Sequence, residues 1–272
     1  MDHTPKDKGY PMKREKTVLI TGASYGIGKA LAGEFIRDGY HLVLTARSED
    51  KLTEVRSELL EKYPQRSIHL FPMDLSLPNA PAMLAKQLEN QHLNVDVLVN
   101  NAGYGLLEKF HTSDINRILN MISLNVSNLV HLTALLTPAM TAQKSGGILN
   151  VASIAAYVPG PNMAVYYATK AFVLSFSEAL HEELKSYGIT VTCLAPGPTK
   201  TRFGEVSGME ASLIFQMGAQ NANEVAQKAY QGFKKGKAVV VPGFKNKLTI
   251  LFSRIFPRTW VRKVVHKIQK IG

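Results

Sequence analysis

The chain has 272 residues, 45% of them hydrophobic and 19% charged, with 20 Gly, 13 Pro and one Cys, the usage of an ordinary globular protein with one large core. That core can form without cross-links at this length, and the lone Cys193 excludes a disulfide framework or a cysteine-rich zinc site. Basic residues exceed acidic ones by 11, yet the stretch after Glu224 holds 12 basic residues and no acidic one, so the first 224 residues sum to −1 and no nucleic-acid partner is expected.

Residues 1–16 are polar, rich in Lys and Pro and without periodicity, and predict a mobile N-terminal arm. They open with Asp2, His3 and Lys6 rather than an apolar signal core. Apolar runs such as residues 132–136 fall short of the roughly 18 residues that span a bilayer, so neither a secreted nor a transmembrane protein is expected. Short β-branched runs follow at residues 18–20, 41–45, 67–71, 95–99, 148–151, 190–194 and 238–241, separated by amphipathic helical patterns. Strands alternating with helices predict βαβ units in one parallel sheet of about seven strands covered on both faces, a doubly wound, Rossmann-like α/β domain over residues 17–243. Gly39, Pro64, Gly146, Gly147, Gly188 and Gly236 stand where helices stop or strands begin.

The first strand runs into Thr21-Gly22-Ala23-Ser24-Tyr25-Gly26-Ile27-Gly28 and then a helical pattern. Glycines permit a tight turn and close approach of backbone to a pyrophosphate, which the helix N-terminus attracts with its free N–H groups. The spacing departs from GxGxxG and lacks the Lys-Ser/Thr ending of a phosphate-binding NTPase loop, so this motif does not decide the function alone. Asn100-Asn101-Ala102-Gly103 closes the fourth strand, Asn125 falls in a helix, and Ser153 ends the fifth strand thirteen residues before Tyr166, itself four before Lys170. On a helix, Tyr166 and Lys170 share one face.

In the order and spacing of these motifs, residues 17–242 resemble the short-chain dehydrogenase/reductase family, whose pattern is TGxxxGxG, NNAG, an Asn, a Ser and YxxxK. The resemblance implies an oxidoreductase that moves a hydride between nicotinamide and a carbonyl or alcohol carbon. Tyr166 would exchange the proton, the Lys170 ammonium would lower the phenol's pKa, Ser153 would hydrogen-bond the substrate oxygen, and Asn125 would join Lys170 to a proton-replenishing water chain. It also implies that Gly22, Ser24, Tyr25, Gly26, Ile27 and Gly28 border phosphates and ribose. Asp74 and Leu75 would meet the adenine, Asn101, Ala102 and Gly103 its ribose, and Pro196, Gly197 and Thr199 the nicotinamide, alongside Tyr166 and Lys170. At the end of the second strand, Ala46-Arg47 stands where an acidic residue would select NAD, so NADP(H) is the expected cofactor and NAD the alternative.

Histidines are scattered without paired spacing, so no metal is expected; His181 reads as a helix-surface residue and Cys193 as a small buried hydrophobe. Phe203, Met209, Leu213, Ile214, Phe215 and Met217 lie in the stretch that covers substrate in the family, which suggests an apolar or lipid-like ligand, and Tyr157, Val158, Pro159 and Met163 are expected in another pocket wall. Residues 244–272 form a basic amphipathic extension. One stripe joins Leu248, Leu251, Phe252, Ile255 and Phe256; a second, after Pro257, joins Trp260, Val261, Val264, Val265 and Ile268, opposite Arg262, Lys263, His266, Lys267 and Lys270. The stripe is expected to pack on the domain or on a partner subunit, with peripheral contact to an anionic membrane as the alternative. Family resemblance implies a homodimer or homotetramer with a small-molecule carbonyl or alcohol substrate, and the expected location is cytoplasmic. A reading from another class is a cofactor-binding redox sensor or scaffold whose basic tail docks on membrane or nucleic acid.

Overall fold

The computed structural model of the chain describes residues 15–208 and 218–269. The arm up to residue 14, the apolar stretch from Met209 to Met217, and Lys270 lie outside the described residues. The last two arm residues are attached rather than mobile: Glu15 pairs with Arg66 at 2.9 Å, and the Lys16 carbonyl accepts the His41 amide at 2.8 Å.

Seven strands form one sheet: β1 (Thr17–Thr21), β2 (His41–Ala46), β3 (Ile68–Pro72), β4 (Val97–Asn100), β5 (Gly146–Val151), β6 (Ile189–Leu194) and β7 (Val239–Val240). They are all parallel, in the order β3-β2-β1-β4-β5-β6-β7. Helices α1 (Gly26–Arg37), α2 (Glu49–Lys62), α3 (Ala80–Asn90), α4 (Ile115–Ile122), α5 (Asn128–Ala142), α6 (Ala164–Lys185), α7 (Phe203–Ser207) and α8 (Ala222–Lys234) supply the crossovers. Two further helices, α9 (Phe244–Ile255) and α10 (Arg258–Ile268), follow β7.

The apolar runs are continuous because both sheet faces are covered. Val18, Ile20, Leu42 and Leu44 point to one layer, where they meet Leu31 and Phe35 of α1 and Val225, Ala229 and Phe233 of α8. Leu19, Val43, Leu98 and Ile148 point the other way, toward Leu84 of α3, Leu132 and Met140 of α5 and Leu184 of α6. The chain therefore folds as a three-layer Rossmann-like domain, as its alternating pattern predicts.

Helices α4 and α5 are continuous through a π-helical turn (Ser123–Ser127), so residues Ile115–Ala142 form one 28-residue helix long and apolar enough, by length and composition only, to cross a membrane. The helix nevertheless turns polar groups into the protein: Asn128 donates to the carbonyls of Leu75 and Leu77, and Asn100 donates to Thr133.

Candidate active site

In an open parallel sheet, ligands bind at the carboxyl ends of the strands where the strand order reverses. Here that point lies between β1 and β4, and a cavity of about 1060 Å³ opens there. It has the volume of a large ligand site.

The nucleotide end is built mostly from backbone. The loop after β1 turns through Gly22 and Gly26, both with left-handed φ (65° and 56°), and a Cβ on Gly26 would stand 2.6 Å from Thr201. Gly28 does not line the cavity, contrary to expectation. A Cβ there would lie 2.3 Å from the Gly22 carbonyl oxygen, so its absence lets α1 press against the loop. The N-cap of α1, Tyr25, gives no side-chain cap, and the first turn carries no acidic residue, leaving its N–H groups and positive dipole end to an anion. Asn101 braces the loop by donating to the carbonyls of Thr21 and Gly22 at 2.9 and 3.1 Å. Arg47 stands exposed at the cavity edge with no ion pair among the described residues. Ser24, Tyr25, Ile27, Asp74, Leu75, Ala102 and Gly103 line the same end. Uncapped amides, bare glycines and an unneutralised cation fit a dinucleotide.

Ser153, Tyr166 and Lys170 line the middle of the cavity, opposite Pro196, Gly197 and Thr199. Ser153 caps the turn after β5, its hydroxyl accepting the Ala155 amide at 3.1 Å. Tyr166 and Lys170 sit one turn apart on α6, both buried, with the ammonium 5.8 Å from the phenol ring centre. Lys170 donates to the Val151 carbonyl at 2.9 Å. Burial pushes the Tyr166 phenol well above its ordinary value, and the Ser153 hydroxyl pulls the other way; burial also brings Lys170 down to about 8. Among the groups that act on the phenol in this structure burial leads, and the expected lowering by the lysine is not seen. A protonated phenol is the form that donates to a carbonyl oxygen.

Asn125 lies behind the cavity, buried within the π-helical turn. Its side chain accepts the Tyr104 amide at 3.1 Å and donates to the Tyr104 carbonyl at 2.9 Å and to Thr169 at 3.1 Å. It holds the segment that follows β4, and a Cβ on Gly103 there would stand 2.8 Å from Asn125 Oδ1 and 3.5 Å from Lys170 Nζ. No direct hydrogen bond joins Asn125 to Lys170.

Tyr157, Val158 and Phe203 line the substrate end, whereas Pro159 and Met163 do not. Phe203 packs on Tyr166 at 5.4 Å between ring centres. Three features escape sequence reasoning. Arg202 lies over the Tyr25 ring at 4.7 Å, bridging the loop after β6 to the glycine loop. Inward-facing residues of the extension, including Asn246, Thr249, Ile250, Ser253, Val265 and Ile268, form part of the cavity wall. Gln269 is buried, its side-chain amide donating to the Tyr167 hydroxyl, while its backbone carbonyl accepts from the Asn162 side chain at 2.8 Å. Of the two expected partners for the stripe on α9, the domain is not the one it meets: Leu251, Phe252 and Ile255 are exposed in the single chain, and the more polar face turns inward. His181 is likewise no plain surface residue, since its Nδ1 meets the Val191 carbonyl at 2.7 Å. Cys193 is fully buried in β6, and burial raises its thiol to about 12.

Comparison with known proteins agrees with this geometry. The model of the short chain dehydrogenase family matches residues 16–210. A very-long-chain 3-oxoacyl-CoA reductase of Rattus norvegicus is 38% identical over 192 residues, covering 69% of this chain and 61% of the relative. The chain thus spans about three-fifths of the length of that relative. An uncharacterized oxidoreductase of Staphylococcus epidermidis is 31% identical over 207 residues, covering 74% of this chain and 88% of the relative. Among solved structures, a short-chain dehydrogenase from Sphingobium yanoikuyae in complex with NADPH superposes with TM-score 0.79 at 30% identity, covering 88% of this chain and 93% of that one. The chain belongs to the short-chain dehydrogenase family.

Proposed function

We propose that the protein is an NADPH-preferring reductase of an apolar ketone, of which a long 3-oxoacyl thioester is the leading class. One observation carries the reading: Ser153, Tyr166 and Lys170 share a single cavity with a bare, uncapped glycine loop. Arg47, with no carboxylate at the end of β2, supports NADP over NAD through attraction to a 2′-phosphate. The apolar lining at Val158, Phe203, Ile250, Val265 and Ile268 supports an apolar substrate, in keeping with the name of the rat relative.

Bound nicotinamide supplies the hydride. The chain's own residues do the rest. Tyr166, held protonated by burial, donates its proton to the substrate oxygen as negative charge builds there. Ser153 steadies that oxygen with a second hydrogen bond. Lys170, fixed by the Val151 carbonyl, presents its positive charge to the phenol side of the site and stabilises the phenolate left behind. Asn125 is the positioning residue for the Tyr104 backbone and for proton return toward Lys170. The same reading takes the enzyme as a cytoplasmic protein, consistent with its single buried thiol. It also takes it as a homo-oligomer joined through α5 and α6, whose outer faces expose Leu135 and Phe172.

The test is NADPH oxidation over a panel of ketones, aldehydes and 3-oxoacyl thioesters, repeated with Tyr166→Phe. The variant is expected to lose about a thousandfold in kcat while still binding NADPH. Full activity of Tyr166→Phe, or inactivity of the parent toward every compound, would sink the proposal.

A further inference from the structure

We infer that the outer face of α9 and α10 is a seat for an anionic lipid bilayer, and that the cavity beneath takes its substrate from that surface. The second half rests on the reductase reading; the first does not.

Every residue of these two helices keeps some exposure, yet their outer side is apolar. Ile255 is 68% exposed and Trp260 61%, with Leu251, Phe252, Phe256 and Val264 beside them. Phe252, Phe256 and Trp260 stack in a ladder, with ring centres 5.9 and 5.6 Å apart, that runs across the break at Pro257. Contiguous exposed apolar surface on this scale marks an interaction site. Its partner is indicated by charge. Lys247, Arg258, Arg262, Lys263 and Lys267 sit on the same two helices, and no acidic residue follows Glu224. Aromatic and aliphatic side chains with cations around them match a headgroup layer carrying negative charge over acyl chains.

The seat is held in register with the site below. Gln269 pins the end of α10 to Tyr167 and Asn162, and Arg254 lies over the Tyr157 ring at 5.7 Å. Both anchoring tyrosines line the cavity. The opposite faces of α9 and α10 line it too, so a wall one helix thick, about 10 Å, separates it from the proposed bilayer. An amphiphile lying in that bilayer needs only to pass the edge of this wall.

Trp260 is the sole tryptophan, so intrinsic emission of the full chain reads the seat directly. With vesicles of phosphatidylcholine plus phosphatidylserine, we expect a blue shift, quenching by brominated acyl chains and co-sedimentation, all much weaker with phosphatidylcholine alone. The double variant Phe252→Glu, Ile255→Glu is expected to lose about tenfold or more in vesicle partitioning, with thermal midpoint and NADPH binding unchanged. Should that variant fail to fold, Arg262→Glu with Lys263→Glu tests the same seat by charge. Emission unmoved by either vesicle, with the chain left in the supernatant, overturns docking. So does a chain that sediments as a dimer without lipid and is dispersed by the double variant, since a second copy then covers the face. For delivery, a ketone carried in the vesicles should be reduced several-fold faster by the parent than by the double variant, with a small soluble ketone reduced equally by both. Equal rates on the vesicle-borne ketone overturn delivery alone, and no turnover of the soluble ketone by the parent points to failure of the reductase reading instead.

Discussion

The two ends of the cavity are built by opposite means. The nucleotide end is backbone brought close by missing side chains: Gly26 against Thr201, Gly28 against the Gly22 carbonyl, and an uncapped helix start. The substrate end is lined by side chains from separate segments, among them Tyr157, Phe203, Ile250 and Val265. The first end admits few residue types, because an added carbon has nowhere to go. The second admits many, because neighbouring side chains can shift.

That contrast is breakable. Gly28→Ala is expected to destabilise the fold by about 3 kcal/mol and abolish NADPH binding, since the new carbon meets backbone rather than a movable side chain. Urea unfolding and NADPH titration check it, and parent-like behaviour in both would erase the distinction between the ends. Arg47→Asp should lower the NADPH/NADH ratio of kcat/KM by about a hundredfold, roughly 3 kcal/mol, by replacing attraction to a 2′-phosphate with repulsion; an unmoved ratio rejects the cofactor assignment.

Between the ends, Lys170 trades stability for chemistry. Its folded pKa is about 8, whereas the unfolded chain holds that proton up to about 10.5, so between these pH values the unfolded state binds more protons and stability rises with pH. Lys170→Met should flatten that rise and gain roughly 2 kcal/mol at pH 7 while reducing activity; denaturation across pH 7–10 checks the slope. The smallest effect belongs to the cavity wall formed by the extension. Ile250→Ala should raise KM for a long-chain substrate by roughly tenfold and leave the Kd of NADPH unchanged. A change in NADPH affinity would show that the two ends are coupled.

The strands and the Ser153, Tyr166 and Lys170 spacing were legible because each is local: a run of buried residues, or one turn of helix. Gly28 belongs to the motif yet stands off the cavity, because a glycine spared for ligand approach and one spared for helix packing look alike in a sequence. The π-helical turn at Asn125 left no periodic signal. The extension's stripe showed an amphipathic helix but not which face meets the body. That choice depends on Gln269, Arg254 and their partners over 90 residues away. Desolvation of Tyr166 was equally out of view, since the rings beside it, Tyr167 and Phe203, come from its own helix and from the start of α7.

Strand β1 is the first strand of the sheet, yet one of its two neighbours is β4. The join is stitched at both ends: the Thr17 amide donates to Asp96 at 2.8 Å, and Thr21 Oγ1 accepts the amides of Asn101 and Ala102, each at 2.9 Å. A nascent chain leaving the ribosome therefore carries β1 with one edge bare until some eighty further residues have been made. Closing so long a loop favours slow folding, and the bare edge gives a chaperone its time to act.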